Sequence, residues 1–177
     1  MIQIVLLRGI NLGPRNRIPM AELRALLTDT GYEDVRTYVQ SGNVVLDSPV
    51  STKQLAPDLE KLISEQFGFA VPVVVRTRDE LAKVVATDPL KKYVTDPKRY
   101  LVSFLSDAPA RDAIEQLEIA ATKGERVELH GRELYAWLPE GAARSKLWSG
   151  LASDRLGVTA TARNWNTVTT LLQMADA

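Results

Sequence analysis

The residues best suited to chemistry are an arginine and an asparagine set between glycines near the amino terminus. Arg8, Gly9, Asn11 and Gly13 come directly after the apolar run of residues 2–7. Glycine lets a backbone approach a ligand closely and turn its amides toward an anion, and arginine supplies a fixed positive charge. The spacing therefore predicts an anion-binding loop at the exit of a strand.

Charge is segregated around this motif. The chain has 177 residues with 22 basic and 22 acidic side chains, so its net charge is zero. No acidic residue occurs before Glu22, whereas the loop after the motif adds Arg15 and Arg17. A neutral chain has no global basic field for nucleic acid, so any anion binding must be local.

The composition excludes several kinds of reactive site. The chain has no cysteine and one histidine, which removes thiol catalysis, cysteine-ligated zinc, iron-sulfur clusters and histidine-rich metal sites. The glycine motif lacks the Lys-Ser/Thr ending of a P-loop and the third glycine of a dinucleotide fingerprint. We therefore expect no cofactor and no metal, and the sequence identifies no catalytic residue.

The hydropathy of the chain favours a cytoplasmic protein without a membrane partner. No segment approaches the roughly 20 consecutive apolar residues of a membrane span, and residues 1–7 are too short for a secretory signal. The absence of cysteine fits a reducing compartment. The sequence does not indicate an oligomeric state.

Hydrophobic periodicity predicts the elements that position the motif. The first half reads strand, helix, strand, strand, helix, strand, with the strands at residues 2–7, 35–39, 44–47 and 71–77 and helices at 19–31 and from near Pro57 to Gly68. The second half repeats this order, with strands at 100–105, 127–130, 133–138 and 158–162 and helices at 108–121 and 147–156. The order predicts an α+β fold of two similar ferredoxin-like modules, each βαββαβ plus a terminal helix. We expect residues 1–92 and 93–177 to form the two modules, packed as one compact unit.

The two halves end on matching segments. Each begins with an arginine after the last strand, Arg76 or Arg163, and continues into an amphipathic helix. In the first, Thr77 and Glu80 have the spacing of a capping box. In the second, the side chain of Asn164 or Asn166 is expected to cap the helix.

The predicted topology brings a second polar segment to the glycine motif. The first and third strands are neighbours, so the exit of the first strand lies at the same end of the sheet as the hairpin turn of Gln40, Ser41, Gly42 and Asn43. We expect Arg8, Asn11 and these turn residues to converge on one ligand site. The residue types are hydrogen-bonding groups with a fixed positive charge, which suits recognition.

Two segments of the second module repeat the basic, acid-free character. Residues 141–153 and 155–175 contain no acidic residue, and they include helix starts at residues 144–146 and 163–167. Helix amino termini with basic residues favour anions. Trp165 is expected to pack rather than to stack on a base. The complete predicted ligand-binding set is Arg8, Gly9, Asn11, Gly13, Arg15, Arg17, Gln40, Ser41, Gly42, Asn43, Arg163, Asn164, Trp165 and Asn166.

With these residues in view, the chain resembles a bacterial family of uncharacterised proteins, domain of unknown function 1697 (DUF1697). The resemblance runs nearly end to end and rests on the segments LRGINLG, MAELR, DVRTYVQSGNVV, RSKL and ARNWNTV. The family usually carries a second glycine and a lysine after the first motif, where this chain has Pro14 and Arg15. The resemblance implies an α+β fold of two similar modules and implies no activity.

Four hypotheses of function remain open at this point. The leading one is a small binding module for an anionic small molecule or a nucleotide-like ligand. An enzyme acting on an anionic metabolite, with Arg8 as electrostatic stabiliser, is the rival of a different class. RNA binding is a secondary hypothesis, because the strands have few aromatic residues for base stacking. The fourth is that the motifs are structural and pin two modules together.

Overall fold

The computed structural model describes residues 1–177 and contains two four-stranded antiparallel sheets and six α-helices. The strands are β1 Ile2–Leu7, β2 Glu33–Tyr38, β3 Asn43–Asp47, β4 Val73–Thr77, β5 Tyr100–Leu105, β6 Arg126–His130, β7 Glu133–Trp137 and β8 Ala160–Asn164. The helices are α1 Met20–Asp29, α2 Thr52–Phe67, α3 Arg78–Thr87, α4 Arg111–Ala120, α5 Lys146–Ala152 and α6 Trp165–Asp176. The predicted α+β fold of two similar ferredoxin-like modules is confirmed.

The strand orders are β2-β3-β1-β4 and β6-β7-β5-β8, so the two sheets have the same topology. In each sheet the first strand of the module lies between the third and the fourth and is antiparallel to both. Leu6 pairs with Asn43, the first residue of β3. The exit of β1 therefore lies beside the β2–β3 turn, as the sequence predicts.

The chain divides into two compact units. Unit 1 comprises residues 1–82 together with residues 171–177, and unit 2 comprises residues 83–170. Within unit 1, Arg36 donates a hydrogen bond to the carbonyl of Met174, and Arg78 Nε lies 2.6 Å from Asp176 Oδ1. The end of α6 thus contributes to unit 1. The predicted modules 1–92 and 93–177 stay a prediction.

Each unit buries one face of its sheet against helices. The alternating side chains of β1, β3 and β4 meet apolar faces of α1 and α2, which explains why these helices form where their apolar residues recur every three or four positions. The buried residues of this core include Val5, Leu7, Val44, Leu46, Leu23, Leu27, Leu55, Leu59 and Ile63. The corresponding core of unit 2 includes Leu105, Leu134, Ala136, Ile114, Leu117, Leu147 and Leu151.

Two helix boundaries differ from the sequence prediction. Helix α2 begins at Thr52 rather than near Pro57, because Ser51 and Gln54 form a reciprocal capping box. A proline in the second turn removes one intrahelical hydrogen bond without ending the helix. The predicted helix at 147–156 ends at Ala152, and Ser153 then caps a short 3₁₀ turn.

Membrane spanning requires a longer and more apolar helix than any of the six provides.

Candidate functional site

The exit of β1 is tied directly to the β2–β3 turn. The Leu7 amide donates to the Gly42 carbonyl over 2.9 Å. Gly42 has a φ of 81°, and a Cβ added there would lie 2.7 Å from the Cβ of Leu7. Only glycine fits this conformation and this close approach. Gly42 therefore sets the position of the turn against the strand.

Asn11 closes the loop after β1. Its Nδ2 donates to the carbonyls of Ile18 over 2.8 Å and Gln40 over 2.7 Å, and its Oδ1 accepts from the Ile18 amide over 2.9 Å. Its own amide donates to the Asn16 carbonyl over 3.1 Å. Both donor hydrogens of the side chain are thus used within the protein. Asn11 acts as a clasp at the base of residues 12–17.

Asn43 plays a similar part under the turn. It is 0% exposed, and its Nδ2 donates to the Tyr38 carbonyl over 3.2 Å and to Ser41 Oγ over 3.0 Å. A side chain buried to this degree contacts a soluble ligand only through its neighbours. Asn43 therefore fixes the turn, and the exposed positions around it are those of Gln40 and Ser41.

A surface cleft of about 360 Å³ lies where the two segments meet. Its lining residues are Asn11, Arg17, Ile18, Pro19 and Gln40. Ile18 is fully buried, so the wall of the cleft is anchored in the core of unit 1. Of the predicted site residues, the structure brings Asn11, Arg17 and Gln40 together at this cleft. Ile18 and Pro19 are lining residues that the sequence motifs do not mark.

The electrostatic character of the cleft is basic. Its lining residues belong to the loop 8–19 and the turn 39–42, and neither segment contains an acidic residue. Arg15 and Arg17 are exposed, and neither guanidinium has a hydrogen-bond or ion-pair partner. Gly9 and Gly13 are exposed backbone of the same loop, and Arg8 at its start is half-buried. Arg15 and Arg17 are therefore the unpaired cations of this loop, and Arg17 lines the cleft.

The predicted candidates around β8 lie in unit 2 and have roles in its fold. Arg163 is 8% exposed and donates to Thr161 Oγ1 over 2.7 Å. Burial lowers the pKa of its guanidinium to about 10, which leaves it a cation at neutral pH. Asn164 Oδ1 accepts from the Thr167 amide over 2.9 Å, so Asn164 is the cap of α6.

The neighbouring tryptophan is packed, as the sequence predicts. The ring of Trp165 stacks on that of Tyr100 with centroids 4.8 Å apart and planes at 25°. Tyr100 is buried, and burial, followed by the negative charge of Asp88, raises the pKa of its hydroxyl. Asn166 is exposed. The stacking face of Trp165 is thus occupied from within unit 2.

The basic segment at residues 144–146 also has a structural explanation. Ser145 Oγ accepts from the Trp148 amide over 3.0 Å as the cap of α5, and it donates to a carboxylate oxygen of Glu125. Burial raises the pKa of Glu125, but hydrogen bonds from Ser145 and then Thr122 outweigh it and leave that pKa below its usual value. Glu125 is distant in sequence, so the acid-free stretch around the helix start does not reveal it.

No group of three or more histidine, cysteine, aspartate or glutamate side chains is arranged to hold a metal ion.

Comparison with known proteins gives a family and a structural relative. A family model described as "Protein of unknown function (DUF1697)" matches residues 1–135. The chain is similar to the solved structure of the conserved bacterial protein SP0830 from Streptococcus pneumoniae, with a TM-score of 0.79 and 26% identity over 98% of both chains. No curated protein matches the chain.

Proposed function

The chain belongs to the DUF1697 family, whose description names no activity, and we propose that it binds an anionic small molecule in the cleft of unit 1. In this proposal Arg17 and Arg15 hold the anion, and Gln40 orients the ligand through its side-chain amide. Asn11 and Asn43 keep the two segments in place. The Arg8 amide donates to the Pro72 carbonyl over 2.9 Å, which ties the start of the loop to the residue before β4.

One observation carries the proposal: both segments that form the cleft are acid-free, and the exposed arginines of its loop have no partner. Two other arginines of unit 1 are paired with carboxylates, Arg78 with Asp176 and Arg36 with Asp34. A guanidinium without a carboxylate keeps its five donors for a ligand.

The mechanism of binding depends on the way in which the loop is held. The three hydrogen bonds of the Asn11 side chain close the loop at its base, so the two ends of residues 12–17 are held in place before any ligand arrives. Preorganisation lowers the entropy lost on binding. Helix α1 also begins beside the cleft without a side-chain cap, but its first turn carries Glu22, so the helix dipole adds no unopposed positive charge there.

The test is a titration with inorganic phosphate, pyrophosphate and triphosphate, monitored by calorimetry at a fixed low salt concentration. We expect affinity to rise with the charge of the anion and to fall with added salt. Since a charge-assisted hydrogen bond contributes about 1.5–3 kcal/mol, Arg17→Gln should weaken triphosphate binding by about tenfold or more.

Arg155→Gln is the matched control, because it removes an exposed arginine from unit 2 and changes the net charge by the same amount. Triphosphate affinity should stay within about twofold of wild type in this variant. The proposal is wrong if none of the three anions binds at millimolar concentration, or if both variants weaken binding equally.

A further inference from the structure

Two exposed apolar side chains stand on the segments that form the cleft. The large hydrophobic residues that the fold leaves exposed are Met1, Leu12, Val39 and Ile119. Leu12 is 85% exposed and directly follows Asn11, and Val39 is 53% exposed and directly precedes Gln40. The hydrogen bond from Asn11 Nδ2 to the Gln40 carbonyl joins the two segments at 2.7 Å. Two of these four exposed residues, Leu12 and Val39, are therefore next to the two residues that this hydrogen bond joins.

The fold of unit 1 does not explain why position 39 is a valine. Val39 has a φ of 49°, in the left-handed region that β-branched residues rarely adopt. Asn11 and Asn16 have φ values of 56° and 53°, and asparagine is the residue type that tolerates this conformation best after glycine. Val39 has both an unfavourable backbone conformation and an exposed side chain, so its apolar surface is available to something outside the chain.

The polar groups near Leu12 and Val39 indicate which chemical class of ligand fits the cleft. Arg15 and Arg17 suit a phosphate, whereas the exposed carboxamide of Gln40 offers a donor and an acceptor side by side. Glutamine pairs in this way with the N6 and N7 edge of adenine. Leu12 and Val39 supply aliphatic surface for the faces of a planar ring. A nucleotide combines an anion, a hydrogen-bonding edge and apolar faces in one molecule.

We propose that the ligand of this cleft is a nucleotide, with the phosphate on Arg15 and Arg17, the base edge on Gln40, and Leu12 and Val39 against the base. The proposal rests on the proposed function and makes it more specific. The volume of about 360 Å³ lies at the lower end of the range for small-molecule sites, which fits one nucleotide unit. That unit belongs either to a free nucleotide or to a single strand.

The experiment compares ATP, inorganic triphosphate and hexaadenylate by calorimetry on the full chain. We expect ATP to bind at least tenfold more tightly than triphosphate, because only ATP uses Leu12, Val39 and Gln40. In Val39→Asn and in Leu12→Ser this ratio should fall to about threefold or less. Hexaadenylate binding more tightly than ATP identifies a strand as the ligand, and the reverse order identifies a free nucleotide.

Thermal stability separates binding from folding in these variants. Because asparagine tolerates a positive φ better than valine, Val39→Asn should raise the Tm by roughly 2–4 °C. Ile119→Asn, the control, removes an exposed apolar side chain from α4 in unit 2 and should leave the ratio of ATP to triphosphate affinity at the wild-type value.

The outcomes distinguish this inference from the proposed function. If triphosphate binds and ATP binds no more tightly, the nucleotide is excluded while anion binding stands. If neither binds, both proposals fail. A fall in Tm in Val39→Asn together with an unchanged affinity ratio shows that Val39 serves the fold, and this result overturns the inference.

Discussion

The two units tie the first strand of their sheets in the same way, yet they differ in the loop that leaves this strand. In unit 1 the Leu7 amide donates to the Gly42 carbonyl, and in unit 2 the Leu105 amide donates to the Arg132 carbonyl, both over 2.9 Å. In each case the acceptor is the residue just before the third strand of the module. The two units therefore share the same strand order and the same hydrogen bond between the first strand and the hairpin turn.

The loops that connect the strands and helices differ in length between the two units. Unit 1 leads from β1 to α1 through residues 8–19, and unit 2 leads from β5 to α4 through residues 106–110. The hairpin turn spans residues 39–42 in unit 1 and residues 131–132 in unit 2. Unit 2 shows that the fold needs only the shorter connections. The longer connections of unit 1 contribute Ile10 and Ile18 to its core. They also carry the unpaired arginines and the exposed apolar side chains near the cleft.

The largest expected effect comes from the glycines of the two turns. Gly42→Ala should lower the free energy of unfolding by about 4 kcal/mol, because the new methyl group meets Leu7 and the residue keeps a left-handed φ. Gly131→Ala has the same backbone problem at a φ of 63°, but its nearest atom is 4.0 Å away. It should cost about 1 kcal/mol. Urea denaturation of both variants measures the difference, and equal losses would show that the turns are equally crowded.

A smaller effect is expected from the clasp that only unit 1 possesses. Asn11→Ala removes three side-chain hydrogen bonds and an asparagine from a left-handed position, and it should cost about 2 kcal/mol. Asn16→Ala, the matched control, changes the same residue type at nearly the same φ and should cost about 1 kcal/mol. Hydrogen exchange should also accelerate at the Ile18 amide in Asn11→Ala alone. Unchanged exchange at Ile18 would contradict the role of Asn11 as a clasp.

A third prediction compares the basic segment of unit 2 at residues 144–146 with the basic loop of unit 1 that contains Arg15 and Arg17. Ser145→Ala removes the cap of α5 and should cost about 1 kcal/mol at pH 7. Because the pKa of Glu125 is lowered in the folded protein, its contribution to stability is present above its unfolded pKa and is lost as the pH falls through the folded value. Ser145→Ala removes a hydrogen bond that lowers this pKa, so the cost should be larger at pH 7 than at pH 3.

Chemical denaturation of wild type and Ser145→Ala at the two pH values provides the measurement. In Ser145→Ala the affinity for triphosphate should remain at the wild-type level, because Ser145 lies in unit 2 and caps helix α5. A loss of stability that is the same at both pH values would remove Glu125 from the explanation.

The smallest effects are expected at the helix starts that close each repeat. Thr77 and Glu80 form a reciprocal capping box at α3, with bonds of 2.8 Å and 3.1 Å, whereas α6 has the single cap of Asn164. Thr77→Ala and Asn164→Ala should each cost about 1 kcal/mol, and Asn166→Ala should stay within about 0.5 kcal/mol of wild type. Thermal denaturation of the three variants ranks them. A larger loss for Asn166→Ala than for Asn164→Ala would contradict the assigned cap.

The parts of the fold that depend on local rules could be predicted from the sequence. Apolar runs and three-to-four-residue spacing locate the strands and helices, and the repeated order predicts both sheets and the meeting of β1 with the β2–β3 turn. The capping box of Thr77 and Glu80 has a sequence spacing of its own and is confirmed. Asn164 and Asn166 are both candidates for the cap of α6 by sequence, and only the hydrogen bond to Thr167 decides between them.

The details of the candidate site depend on conformation and on distant residues. The sequence places Asn11 and Asn43 in a ligand site, but in the structure their side-chain amides donate to backbone carbonyls. No local pattern marks Val39 as a valine at positive φ. The partner of Ser145 is Glu125, twenty residues away, so charge counted along the sequence does not report it.

The division of unit 1 between residues 1–82 and residues 171–177 has a consequence for protein synthesis. A nascent chain that has just released β4 from the ribosome has all the residues of the cleft but lacks Met174 and Asp176, the partners of Arg36 and Arg78. Unit 1 therefore completes its contacts only after all of unit 2 has been translated. The cleft therefore belongs to the unit whose contacts are completed after those of unit 2.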